Sequence, residues 1–199
     1  MFHTRHTPKA KALSHAPGVD LALARTHEVC GPSRRLFAVL TAGKMTGPVL
    51  WLRMMWNVDR LMGDGIRPFL DPGRVVFGEA RTPMEILWAA EEALRSGLMP
   101  LVVADLPGPP GLTPVRRLHL AAATGHEARG NAPMMLLLTP GWGGAPGIET
   151  RWHMAPRPGW ARDGKPRWKL SRTRARMAPE QSREMWLEDG QMRFEKGWT

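Results

Sequence analysis

The stretch HEVCGPSRRLFAVLTAGKMTGPVLWLR, residues 27–53, decides how this chain is expected to fold. HEVC is a short strand candidate, and a Gly-Pro pair closes it. The residues that follow place Leu36 and Leu40 on one helical face. PVLWL (48–52) is a continuous apolar run, typical of a strand that is buried on both faces. This order of strand, helix and strand predicts the first βαβ unit of an α/β domain.

The next block repeats this order with clearer boundaries. In TPMEILWAAEEALRSG, residues 82–97, Thr82 is placed to cap a helix and Pro83 suits the first helical position. Glu85 stands three residues after the cap, which is the spacing of a capping box, and Gly97 is a typical helix stop. This segment therefore predicts a helix that ends at Gly97.

Further apolar runs continue the alternation. DPGRVVF, MPLVVADL and PMMLLLTPG are typical of strands, and PVRRLHLAAATG predicts a helix that ends at Gly125. The alternation predicts an α/β fold with a mostly parallel sheet flanked by helices. Beyond Pro146 the pieces become short and alternating (TRWHM, PRWKLSR, EMWLED and QMRFEK), with Asp189-Gly190 as a hairpin turn. They predict an antiparallel β extension on the C-terminal side.

These patterns divide the chain into three parts. Residues 1–25 mix His, Lys, Pro and Ala without a sustained period, and are expected to form a mobile tail or one short helix. Residues 26–150 form the predicted α/β core. Residues 151–199 form a basic, Trp-containing β extension and tail.

The positive charge of the chain is concentrated in one segment. Lys and Arg number 28 against 18 Asp and Glu, for a formal net charge of +10. Residues 31–150 hold 12 basic and 10 acidic residues, whereas residues 151–176 hold nine basic residues and the single Asp163. A local excess of this kind favours a binding patch for an anionic partner over general solubility.

Cysteine usage and the N-terminal sequence indicate a cytoplasmic protein. The single Cys30 excludes an intramolecular disulfide and a Cys-clustered metal site. The N-terminus lacks the apolar centre of a signal peptide, and no apolar run approaches the roughly 20 residues that span a bilayer. His3, His6 and His15 have no partner acids at ligand spacing, so no metal or cofactor is expected.

The segment after the first strand lacks a phosphate-binding loop. Such a loop needs Gly-x-x-x-x-Gly-Lys-Ser/Thr, whose backbone N–H groups wrap the phosphates. AGKMTG resembles its second half, but Ala38 stands where the first Gly belongs and Met45 where Ser or Thr belongs. Lys44 also falls at the end of the predicted helix, and not at its N-terminus, where a phosphate is favoured. Lys44 is therefore predicted to be a surface residue.

The order of segments nevertheless resembles a RecA-type ATPase core. In that family the first strand leads through Gly-Pro and the phosphate loop into a helix and then a strand with acidic residues at its end. Matching VLWLRMMWNVD to that second strand places Met55 at the water-activating glutamate, and Asp105 falls at the metal-linked acid. The chain before VLWL is shorter by about the length of the missing loop. From the residues alone, Asp105 is expected to cap the following loop.

Within this superfamily the chain resembles the ImuA family more closely than RecA itself; ImuA proteins are RecA-like accessory proteins of the bacterial SOS mutasome. The similarity covers about residues 26 to 176. The segments that carry it are THEVCG, GPVLWLR, RTPMEILWAAEEALRSG, RRLHLAAATG, TRWHMAPRPG and PRWKLSRTRAR.

The resemblance implies a role in SOS-induced translesion DNA synthesis. The missing phosphate loop, with Met55 in place of the glutamate, predicts that this role is non-enzymatic. The implied partners are a catalytically inactive Y-family polymerase homologue and a replicative-type polymerase, and DNA is a further candidate. Two alternatives stay open. One is a diverged RecA-type NTPase or nucleotide sensor, which would use an unrecognised loop or complete its site with a neighbouring subunit. The other is a SulA-like inhibitor of cell division.

The basic stretch supplies the candidate binding residues. Trp152, Trp160 and Trp168 alternate with Arg and Lys, a pattern that can neutralise phosphates and stack on bases. Trp152 and Trp168 are expected to face the core, since each lies in an alternating strand pattern. On a strand, Arg167, Lys169 and Ser171 would share the face opposite Trp168 and Leu170, so that one face is basic. The candidate DNA- or partner-binding residues are Arg167, Lys169, Arg172, Arg174, Arg176 and Trp160.

Overall fold

The computed structural model describes residues 11–158, 164–176, 178–195 and 197. The strands are β1 (Ala12–Ala16), β2 (Val19–Ala22), β3 (Thr26–Cys30), β4 (Val49–Met54), β5 (Val75–Ala80), β6 (Leu101–Asp105), β7 (Met134–Thr139), β8 (Thr150–Pro156), β9 (Arg167–Ala175), β10 (Gln181–Glu188) and β11 (Gln191–Phe194). The helices are α1 (Arg34–Gly43), the short α2 (Gly63–Ile66), α3 (Pro83–Ser96) and α4 (Leu112–Arg129). None of the helices in the described segments is both long and apolar enough to cross a membrane.

Nine of the strands form one sheet, in the order β11-β10-β9-β8-β3-β7-β6-β4-β5. One part of the sheet is parallel and consists of β8, β3, β7, β6, β4 and β5. The other part is antiparallel and consists of β8, β9, β10 and β11. The predicted fold class is therefore confirmed, including the antiparallel extension and its hairpin turn at Asp189-Gly190, where both residues have positive φ.

The position of β8 corrects one detail of that prediction. TRWHM was expected inside the antiparallel extension, but β8 pairs parallel with β3 on one side and antiparallel with β9 on the other. The cause is the segment 140–149, which crosses over the sheet without a helix. Its residues Ala145 and Ile148 are buried in the core beside α3 and α4. β8 therefore joins the two parts of the sheet.

The sheet separates two apolar layers. The first lies under α1 and the β1–β2 hairpin and includes the buried side chains of Phe37, Trp51 and Trp152. The second lies under α3 and α4 and includes Ile86 and Leu118. Because helices cover both faces of the parallel strands, those strands carry almost unbroken apolar runs.

Helix α3 begins and ends where the sequence indicates, whereas α4 is longer than predicted. The capping box of Thr82 and Glu85 is formed, and Gly97 ends α3 in the left-handed conformation. Gly125 does not end α4, which continues to Arg129. A Cβ at Gly125 would lie 2.0 Å from the Leu94 carbonyl oxygen, so this glycine permits close packing of α3 against α4.

The N-terminal segment also differs from its prediction. Residues 12–22 form neither a mobile tail nor a helix, but the antiparallel β1–β2 hairpin. Gly18, with a φ of +83°, permits the turn, and Val19 and Leu21 are fully buried against the first apolar layer. The alternation of apolar side chains is short, and this explains why no sustained period was visible in the sequence.

Two buried histidines tie this hairpin to the core. His15 Nε2 lies 3.0 Å from Thr41 Oγ1 of α1, and His27 Nε2 lies 2.9 Å from the Ala22 carbonyl oxygen. His27 Nδ1 also lies 2.7 Å from Thr150 Oγ1. Burial lowers the pKa of His15 to about 3 and the pKa of His27 to about 4. His27 is thus a structural residue that links β2 and β8 through its two ring nitrogens.

Acidification is expected to destabilise the fold through these two groups. In the unfolded chain both histidines titrate near 6.5, so between that pH and about 4 the unfolded chain binds protons that the folded chain does not. The free energy of unfolding should fall by up to about 1.4 kcal/mol per pH unit for each histidine as the pH decreases. Urea unfolding at about pH 7, 6 and 5 measures this slope.

A His27→Gln variant provides the comparison for that slope. Gln keeps hydrogen-bonding capacity but does not titrate, so the variant should lose about half of the pH dependence. Stability that stays flat between about pH 6.5 and 5 in the unmodified chain would contradict the assignment.

Candidate nucleic-acid interface

The carboxyl edge of the parallel strands is where an α/β sheet of this kind is expected to bind ligands. Helix α1 leaves β3 on one face, whereas α3 and α4 connect their strands on the other face. The change of face between β3 and β7 is a topological switch point, and crevices outside the strand ends at such points bind ligands. The β3–α1 turn, the end of β6 and the segment 140–149 meet there.

The β3–α1 turn is too short to wrap a phosphate. It consists of Gly31, Pro32 and Ser33, and α1 begins at the next residue. Gly31 has a φ of +90°, and a Cβ there would lie 2.5 Å from the Met154 carbonyl oxygen of β8. The Ser33 N–H donates to that same oxygen at 3.0 Å. The turn is therefore packed directly on β8.

Two arginines of the first turn of α1 neutralise Asp105 at the end of β6. Arg35 Nε donates to Asp105 Oδ2 at 2.6 Å, and Arg34 Nε lies 3.6 Å from Oδ1. The Asp105 side chain is only 4% exposed. Cations are unfavourable at a helix N-terminus, so the carboxylate offsets their interaction with the helix dipole. Asp105 thus pairs with α1. The prediction that it caps the following loop is wrong.

The end of β4 carries a cation where the resemblance places catalytic acids. Arg53 is buried, forms an ion pair with Glu79 of β5, and donates to the Asn57 carbonyl oxygen at 2.7 Å. Met55, which the resemblance places at the water-activating glutamate, is half exposed. Lys44 is exposed at the C-terminal end of α1, as predicted.

A buried carboxylate that sequence reasoning overlooked fixes the segment 140–149. Glu28, in the middle of β3, is fully buried. It accepts hydrogen bonds from Thr139 Oγ1 at 2.7 Å, from the Gly144 N–H at 2.9 Å and from the Ala145 N–H at 3.1 Å. Arg151 Nε of β8 completes the set at 2.5 Å. The signal was present, because an acid inside an apolar strand needs partners of this kind.

The segment held by Glu28 presents an exposed tryptophan. Trp142 is 70% exposed and its ring stacks on His153 of β8, with ring centroids 4.0 Å apart and planes inclined by 13°. Burial and the charge of Lys169 lower the pKa of His153, which favours a neutral ring. Trp142 was not among the predicted residues, because its glycine-rich surroundings indicate a connection but not an exposed ring.

The face of the antiparallel extension beside Trp142 is basic and open. His153 stands opposite Ser171, and Lys169 stands between Ala155 and Glu184. Arg167 lies over the Trp186 ring, with its guanidinium carbon 4.3 Å from the ring centroid. Among the described residues, neither apolar layer includes the side chains of this face. We call it the open face; Arg167 and Lys169 lie on it together, as their alternation predicts.

The remaining candidates are distributed over other parts of the structure. Arg172 lies on the opposite face, where it donates to the Gly18 carbonyl oxygen at 3.1 Å and to Gln181 Oε1 at 2.8 Å. It therefore braces the β1–β2 hairpin, and burial lowers its pKa. Arg174 is exposed and stands opposite Arg151. Arg176 lies beyond β9 at the other edge of the sheet, and Trp160 falls outside the described residues.

The two tryptophans predicted to face the core do so. Trp152 is fully buried in the first apolar layer, and Trp168 is partly buried against it. In the described part of the chain, no group of three or more His, Cys, Asp or Glu side chains is arranged to hold a metal ion. Comparison of the sequence with known protein families and with curated proteins finds no match.

The ion pair of Arg35 and Asp105 is expected to stabilise the closed edge. Arg35→Ala leaves the buried carboxylate with Arg34 alone, and the free energy of unfolding should fall by about 1–3 kcal/mol. The double variant Arg35→Ala/Asp105→Ala should lose less free energy of unfolding than the two single variants added together, by at least about 0.5 kcal/mol. Urea unfolding measures all three losses. Arg60→Ala, at an exposed site, is the control and should stay within about 0.5 kcal/mol. Fully additive effects would argue against the pair.

Proposed function

We propose that this chain is a non-enzymatic, RecA-like accessory protein of the ImuA type. In this proposal it acts in SOS-induced translesion synthesis, where it assembles a polymerase complex and contacts DNA. The observation that carries the non-enzymatic part is the closed β3–α1 turn, with Arg34 and Arg35 paired to Asp105.

The closed turn removes what a triphosphate site requires. Phosphate loops bind through a run of free backbone N–H groups, but the Ser33 N–H is taken by Met154 and the Arg34 N–H donates to the Gly31 carbonyl oxygen at 3.3 Å. A magnesium ion would need Asp105 as a ligand and would have to displace Arg35 from it. These contacts favour a scaffold over the diverged NTPase that the sequence left open.

Exposed apolar side chains at the same edge support a role in assembly. Met55, Trp56, Val58 and Met62 follow β4 within a few residues of one another, and each is at least half exposed. A local group of large apolar side chains on a surface marks an interaction site for another protein. In the proposed complex this group would face one of the polymerase subunits.

The open face supports contact with single-stranded DNA. Trp142 offers a stacking surface beside this face, and the exposed Lys169 offers charge for phosphates. Stacking on an aromatic ring is tolerant of base identity, and cations beside it follow the backbone of the strand. Arg167 and Lys169, from the basic stretch 151–176, lie on this face.

The chain is expected not to bind magnesium-ATP. Calorimetric titration should show no saturable heat up to about 1 mM nucleotide, which corresponds to binding weaker than about 4 kcal/mol. Magnesium-dependent binding at micromolar concentration would refute the proposal. Should it appear, the diverged NTPase becomes the better reading, and an Arg35→Ala variant would be expected to bind still more tightly.

Replacing Trp142 is expected to weaken binding of single-stranded DNA. Loss of one stacked base costs about 1–3 kcal/mol, so Trp142→Ala should raise the Kd for an oligo-dT strand about 5- to 150-fold, measured by fluorescence anisotropy. Trp142→Phe should recover part of the loss. Trp88→Ala, at an exposed tryptophan of α3, serves as the matched control and should leave the Kd unchanged.

Lys169 tests the phosphate contribution separately. Lys169→Ala should reduce the slope of log K against log salt by about 0.7, the share of one phosphate contact to a single strand. Equal Kd values for the unmodified chain, Trp142→Ala and Lys169→Ala would remove the open face from the proposal while leaving its non-enzymatic part intact.

A further inference from the structure

A second cleft lies at the amino edge of the parallel strands, away from the candidate interface. It has a volume of about 470 Å³ and opens between α4 and the starts of β3 and β8. The first residue of β3 and the residue before β8 are held together, since the Glu149 N–H donates to the Thr26 carbonyl oxygen at 2.9 Å. We call it the amino-edge cleft; its lining includes Arg25, Arg116, Arg176, Glu149, His119 and Leu120.

The charge in this cleft is unbalanced. Three guanidinium groups line it against the single carboxylate of Glu149, which lies 3.8 Å from Arg25. In the described part of the chain, neither Arg116 nor Arg176 has a carboxylate within ion-pair distance. The neighbouring Arg117 differs, because it pairs with Glu91 at 2.8 Å. Cations that face one cleft without partners repel one another, and a bound anion would relieve that repulsion.

The wall behind these arginines is fixed by His119. Its Nδ1 accepts a hydrogen bond from the Thr26 N–H at 3.3 Å, and its Nε2 donates to the Gly147 carbonyl oxygen at 3.1 Å. Both ring nitrogens are therefore occupied, and burial lowers the pKa of His119, with Arg25 and Arg176 adding to the effect. A neutral, immobilised ring joins α4 to the start of β3 and to the segment 140–149, so the cleft is already formed before a ligand arrives.

One side of the cleft is apolar and exposed. Leu112, Arg116 and Leu120 follow one another at intervals of four residues, which places them in one stripe of α4. Leu112 is 39% exposed and Leu120 69%, so this stripe lies beside the buried face of the helix and is not part of it. The cleft thus combines a cationic end with an apolar wall, and its volume is within the usual range for small-molecule sites.

We propose that the amino-edge cleft binds a small organic phosphate. Its phosphomonoester group would be held by Arg25, Arg116 and Arg176, and its apolar or ring portion would lie against Leu112 and Leu120. Guanidinium groups bind phosphate oxygens through paired N–H donors, and the dianion matches the surplus of positive charge. This site is separate from the closed β3–α1 turn, so the proposal is independent of the proposed function.

Calorimetric titration with phenyl phosphate tests the proposal on the full chain. One saturable site is expected, and phenol should bind at least tenfold more weakly because it lacks the dianion. The double variant Arg116→Ala/Arg176→Ala should weaken phenyl phosphate binding at least tenfold. The control double variant Arg60→Ala/Arg81→Ala removes the same charge from two other exposed positions and should bind as the unmodified chain does.

Three results would overturn the proposal: no binding of phenyl phosphate, equal binding of phenol, or unchanged binding by Arg116→Ala/Arg176→Ala. All four replaced arginines are exposed, so each variant is expected to keep its fold. Thermal unfolding of each variant checks this. A 5′-phosphorylated oligonucleotide compared with its 5′-hydroxyl form identifies the source of the ester. If the 5′-phosphate raises the affinity for the oligonucleotide and the double variant loses that increase, the ligand is a strand end and not a small molecule. Equal affinity for the two oligonucleotides would support the small molecule.

Discussion

The buried carboxylate of Glu28 is the group around which the centre of the sheet is organised. An ionised side chain without exposure to water is tolerated only when its oxygens are fully hydrogen-bonded and its charge is paired. Here the strand β7 supplies a hydroxyl, the segment 140–149 supplies two backbone N–H groups, and β8 supplies Arg151. One side chain of β3 thereby fixes both neighbouring strands and the connection between them.

That arrangement determines what the carboxyl edge can do. Because Glu28 holds Gly144 and Ala145, the residues just before them project outward with Trp142 on top of His153. On the other side of β3, the same edge is closed by arginines paired with Asp105. The arginines of α1 and the carboxylate of Asp105 thus occupy this part of the edge. The aromatic and basic groups that are available for binding lie further along the sheet.

The sequence predicted the parts of this structure that depend on local patterns. The apolar runs of the parallel strands, the Thr82 capping box and the Asp189-Gly190 turn each follow from residues that are close in the chain. What it missed depends on contacts between distant segments. Glu28 and Arg151, or Asp105 and Arg35, are recognisable as pairs only once the strand order is known, and the length of α4 depended on how Gly125 meets α3.

The same limit applies to the candidate site. Alternation along β9 placed Arg167 and Lys169 on one face correctly, but a bulge in the pairing of β8 with β9 shifts the register beyond Arg172. Arg172, Arg174 and Arg176 therefore have three different environments, although they look equivalent in the sequence. The exposure of Trp142 depends on the anchoring of the segment 140–149 by Glu28, which the sequence does not show.

The bracing contacts of the β1–β2 hairpin have a consequence for the order of folding. Arg172 and Arg183 donate to the carbonyl oxygens of Gly18 and Pro17, which lie more than 150 positions earlier in the chain. Contacts of such long sequence separation form late, because the entropy of loop closure must be overcome first. During synthesis on the ribosome, the hairpin made first must wait for β9 and β10 before it can dock completely, so its apolar side chains stay accessible to chaperones for most of translation.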